Sequence, residues 1–95
     1  MATGTGLIDF GAFPGGMDAS LVITGQAGIL GASLVEAWVF PAATADHTSD
    51  EHLVEELRIR VPSDSIVAGT GFTIRGIATG LTKLYGKYNV AWAWT

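Results

Sequence analysis

Apolar and polar positions alternate along much of this chain with period two, the signature of strands that turn one face to a core. Over 34–40, Leu34, Glu36, Trp38 and Phe40 fall on one side and Val35, Ala37 and Val39 on the other. Near the end, Tyr88, Val90, Trp92 and Trp94 alternate with Asn89, Ala91 and Ala93. Leu57, Ile59 and Val61 interleave with Arg58 and Arg60, and Phe72, Ile74, Gly76 and Ala78 with Thr73, Arg75 and Ile77. Further strands are predicted over 7–10, 19–24 and 66–68, with a short one at 27–30. The doublet Glu55-Glu56 breaks the alternation of 53–61, which predicts a long strand with a bulge; a helical turn over 49–55 capped by Ser49 is the competing reading.

Turn chemistry punctuates these segments. Pro14-Gly15-Gly16 reads as a turn, because proline presets φ at one corner and glycine accepts positive φ at the next. A helix over 25–38 is disfavoured by Gly25, Gly28 and Gly31, each costing about 1 kcal/mol relative to alanine. Roughly seven or eight short strands separated by such signals predict an all-β fold, a small antiparallel β-sandwich or jelly-roll-like barrel. Residues 1–6 show no periodicity, so 1–16 is expected to be a flexible N-terminal arm and turn, and 17–95 a single β domain. Trp38 and Phe40 are expected to pack against Trp92 and Trp94.

Composition narrows the function classes. Ninety-five residues make one domain with a thin core, and only 15% are charged, which leaves a surface poor in charge and suited to a partner. The net charge is −4, and Arg58, Arg60, Arg75, Lys83 and Lys87 are too few and too dispersed along the sequence for a nucleic-acid site. Without cysteine there is no disulfide, thiolate nucleophile or zinc knuckle. The first residues lack the pattern of a signal peptide and no run is long enough for a membrane helix, so the chain is expected to stay in the cytoplasm of the cell that makes it, without a membrane partner.

Candidate chemistry concentrates in 46–52. His47, Asp50 and His52 are the weak candidates for a metal site, since imidazoles and carboxylates within a short span could hold a divalent cation, calcium as readily as zinc. A His-x4-His interval matches no strong zinc pattern, and a hydrogen-bonded acidic loop is the simpler expectation. Ser49 with His47, His52 and Asp50 offers the residue types of a catalytic triad without the sequence separation that usually builds one. The expectation is therefore no catalytic residues and no cofactor. If the loop is exposed, its histidines would make an interface responsive to acid. Leu7, Phe10 and Phe13 are candidates for an interface at the arm, and Arg58, Arg60 and Arg75 for a polar subunit interface facing Glu36, Glu55 or Glu56.

The segments LIDFGAFPGG, VITGQAGI, VEAWVFPAATADHTSDEH, AGTGFTI and YGKYNVAWAW, in this order, cover most of the chain and resemble small structural proteins of tailed bacteriophages. The resemblance implies a virion setting and assigns no role to any residue. A small, cysteine-free, weakly charged β domain with a glycine-rich arm fits that setting as a non-enzymatic decoration or cement protein on the head shell, with the major capsid protein and further copies of itself, as a homotrimer or larger cluster, for partners. A tail, neck or fibre subunit is the alternative, and a metal- or carbohydrate-binding recognition module the alternative of another class.

Overall fold

The computed structural model describes residues 2–80 and 82–95; Met1 of the expected arm and Leu81 of the loop before the last strand lie outside them. Six strands form two antiparallel three-stranded sheets: β1 (Ala2–Asp9), β2 (Asp18–Ile23), β3 (Val35–Val39), β4 (Leu57–Arg60), β5 (Phe72–Ala78) and β6 (Lys87–Trp94). One sheet has the order β1-β6-β3 and the other β2-β5-β4, so the expected all-β sandwich is the fold. The last strand, β6, is the centre of the first sheet, and β5 is the centre of the second.

Residues directly opposite in an antiparallel pair share a face, so the register decides what points inward. Trp92 lies across from Gly4 on one side and Ala37 on the other, and Val90 from Gly6 and Val39. In the second sheet Ile74 faces Leu21, Phe72 faces Ile23, and Gly76 faces Ala19 and Ile59. The two inner faces meet in a core of Ile8, Phe10, Ile59, Phe72, Ile74, Tyr88, Val90 and Trp92. Each fully buried large side chain among them contributes about 1.5–3 kcal/mol. Phe72 meets Trp92, and Phe10 meets Tyr88, edge to face.

Several expectations change. Residues 2–9 are no arm: they pair with β6 along eight positions, and the Thr-Gly-Thr-Gly run is an alternation with glycine inside. A Cβ at Gly4 would overlap the Trp92 indole, so the central tryptophan needs a strand without side chains beside it. Trp38 and Phe40 do not face Trp92 and Trp94. The alternation over 34–40 holds, but its inner side is Val35, Ala37 and Val39, while Trp38 and Phe40 are 46% and 43% exposed. Ala37, across from Trp92, leaves the width that the indole fills. Finally, the bulged strand over 53–61 is a short helix, α1 (Ser49–Val54), followed by β4.

Helix α1 is held by a capping box one residue earlier than expected. The Thr48 hydroxyl accepts from the Glu51 amide and the Glu51 carboxylate accepts from the Thr48 amide. The helix closes one end of the sandwich. The other end is closed by loops: Ile29, 1% exposed, accepts a hydrogen bond from the Gly69 amide, and Trp94 Nε1 donates to Gln26 Oε1. Residues 27–30 and 66–68 are thus loop segments and not strands, joined to the rest by these bonds and by a single bridge between Val67 and Gly71. Pro14 lies in a turn closed by the Gly15 amide donating to Ala12 O. No helix among the described residues is long and apolar enough to cross a membrane.

Candidate functional site

The acidic connection folds inward. His47 and His52 are 4% and 5% exposed and both pack on Tyr88: His47 is stacked, with centroids 4.1 Å apart, and His52 edge-on at 5.2 Å. His47 Nε2 lies 2.6 Å from Tyr85 O and Nδ1 2.9 Å from Glu51 Oε2. Both partners accept, so the bonding is complete only when both nitrogens carry protons. Burial alone would lower the His47 pKa, but the bonds to Glu51 and the Tyr85 carbonyl, with the charges of Glu51 and Asp46, outweigh it and raise the value. The bond to His47, with that from the Thr48 amide, holds Glu51 below the usual carboxylate range. His52 differs: Nδ1 donates to Thr48 O, and Nε2 accepts from the Asn89 amide, so one ring nitrogen meets an acceptor and the other a donor.

This geometry corrects the expectations for 46–52. The histidines lie inside the sandwich end and not on an exposed loop, so acid acts on the fold there and not directly on an interface. All four ring nitrogens are bonded within the chain, while Asp50 is exposed in the first turn of α1. No group of three or more His, Asp or Glu is arranged to hold a metal ion among the described residues. Glu51, one of the carboxylates of 46–52, completes the cluster with Tyr85 and Tyr88, which the sequence did not link to it. The spacing Thr48-x-x-Glu51 was the available signal.

The interface candidates separate into three places. Phe10 is 5% exposed and belongs to the core, where Ile8 and Phe10 lie over Gly76; it is unavailable to a partner. Phe13 is 79% exposed and meets Tyr85 edge to face. Leu7 sits on the outer face of β1-β6-β3, where the rows read Thr3, Ala93, Glu36, then Thr5, Ala91, Trp38, with Leu7 across from Asn89. Apart from Asp9 and Lys87, which oppose each other at one end, Glu36 is the one charged residue of this face among the described residues. Leu34 and Phe40 extend the face at either end of β3, both exposed.

Arg58, Arg60 and Arg75, scattered in sequence, converge on the outer face of β2-β5-β4. Arg60 stands directly across from Arg75, and Arg58 is two residues along on the same side. All three are exposed; Asp18 approaches Arg75 at 3.6 Å, and the other two meet no carboxylate within 4 Å among the described residues. Their neighbours Val22 and Ile77 are exposed and apolar.

A cleft of about 470 Å³ lies between the edge strands β3 and β4, lined by Trp38, Arg58, Arg60 and Thr79. Cα atoms of the two strands approach within 8 Å, whereas a strand inserted between them would need about 9.5 Å. The cleft therefore takes side chains and not an added strand. Comparison with known protein families, with curated proteins and with solved structures finds no match. What fold and site define is a small all-β sandwich whose histidine cluster serves its own packing and whose exposed chemistry lies on two sheet faces.

Proposed function

We propose that the protein is a non-enzymatic structural subunit of a tailed-bacteriophage virion, a decoration or cement protein that braces the head shell by binding the major capsid protein. The virion setting rests on the resemblance of the five sequence segments. The observation that carries a binding role is the outer face of β1-β6-β3, where Trp38, Phe40, Leu7 and Leu34 are exposed beside Thr3, Thr5, Ala91 and Ala93. A broad face with aromatic anchors and almost no charge loses little by desolvation and gains from burial, as the centres of protein interfaces do. The subunit would add to shell stability by mass action, binding only the assembled form.

Quantitative mass spectrometry of purified particles tests this reading. A decoration role requires copy numbers comparable to those of the major capsid protein; a handful of copies per particle would move the protein to the tail, neck or fibre. Absence from the particles ends the proposal.

A further inference from the structure

We infer that the arginine face of β2-β5-β4 is a contact between copies of this chain, receiving the acidic α1 end of a second copy. This goes beyond the proposed shell contact, which uses the opposite sheet. Like charges directly across an antiparallel pair destabilise it, and Arg60 and Arg75 stand in that relation with Arg58 beside them. Asp18, at 3.6 Å from Arg75, is a partial counter-charge for one of the three. The cluster is therefore completed by carboxylates from outside, which a guanidinium fork engages in pairs.

The chain carries the matching surface. Around α1, Asp50 and Glu56 are exposed and Glu55 half-buried, and none of the three is paired with a basic side chain among the described residues. Leu53 and Val54, between them, are 69% and 75% exposed. The arginines in turn border exposed Val22 and Ile77. Carboxylates flanking an apolar pair thus complement guanidiniums flanking another, and both polarity and charge match when one copy presents its α1 end to the other's sheet. A nucleic acid or another polyanion fits less well, because the remaining surface of a chain with net charge −4 repels it.

Charge reversal and recombination test the contact by sedimentation equilibrium. The parent chain is expected to associate with rising concentration, and the association to weaken as salt screens the pairs. Arg58→Glu/Arg60→Glu and Asp50→Arg/Glu56→Arg, each at exposed positions, are each expected to weaken it at least about tenfold on their own. Mixed in equal amounts the two variants present opposite charges at every contact, so association returns; that recovery also shows that both are folded. A monomeric parent chain, undiminished association of either variant alone, or no recovery on mixing overturns the inference. Binding of inorganic polyphosphate by a monomeric parent chain, lost in the arginine variant, assigns the face to an external anion instead. Particle copy number is read separately, so a failure here leaves the virion reading standing, and the reverse also holds.

Discussion

His47 and His52 pack on the same tyrosine with different partners: both ring nitrogens of His47 face acceptors, whereas His52 faces one acceptor and one donor. The groups facing His47 are Glu51, Asp46, Tyr85, Tyr88 and His52, and the balance among them raises its pKa. A raised pKa in the folded state means that the stability contributed is complete below the ordinary histidine value, about 6.5, and is lost as pH rises through the raised value. Glu51 runs the other way: its pKa is lowered, so its contribution is complete above the ordinary carboxylate value and lost on acidification. The pair is thus strongest between roughly pH 4.5 and pH 6.5. The denaturant midpoint of the parent chain should fall between about pH 6 and about pH 9, and His47→Phe should flatten that fall. Parallel pH profiles for the two would remove the cation from the account. At the same scale, Gly4→Ala should cost about 1–3 kcal/mol by forcing Trp92 aside, whereas Thr5→Ala, one residue along and outward, should stay within about 0.5 kcal/mol. Equal effects in urea denaturation would contradict the register of β1.

Helix α1 and strand β1 show what an element gains from tertiary context. Thr48→Ala removes the cap and should cost about 1 kcal/mol; because it also frees Glu51, the pH dependence above should weaken with it, which the same denaturation series reads. Deletion of 2–6 removes the partner of Trp92 and Val90, so the far-ultraviolet spectrum and the cooperative transition should both be lost; an unchanged transition would restore the arm. The long alternations were legible: β5 and β6 occupy the expected positions with the expected faces inward. The N-terminal strand was not, because propensity scores glycine as a strand breaker while the fold uses its missing side chain. The orientation of 34–40 was equally hidden. Its outer side carries Glu36 but also Leu34, Trp38 and Phe40, so aromatic bulk masks the one polar position, and the register against β6, with Ala37 across from Trp92, decides between the sides. The convergence of the arginines has the same origin, since Arg60 and Arg75 meet through a pairing of strands that the sequence does not state.

At the scale of the molecule, the two sheets give the small domain two outer faces of different chemistry: one almost uncharged around Trp38, one carrying three of the five basic residues of a chain whose net charge is −4. In the proposed function the first face meets the shell, and in the inferred self-contact the second meets neighbouring copies. Trp38 is the residue on which the proposed shell contact turns, because it is a large exposed aromatic set across from Ala91 and lies outside the core. Cosedimentation of Trp38→Ala with assembled heads lacking the parent protein is the most direct measurement. The expected result is binding weakened at least about tenfold with an unchanged thermal midpoint. Binding equal to that of the parent chain would contradict the role given to this face.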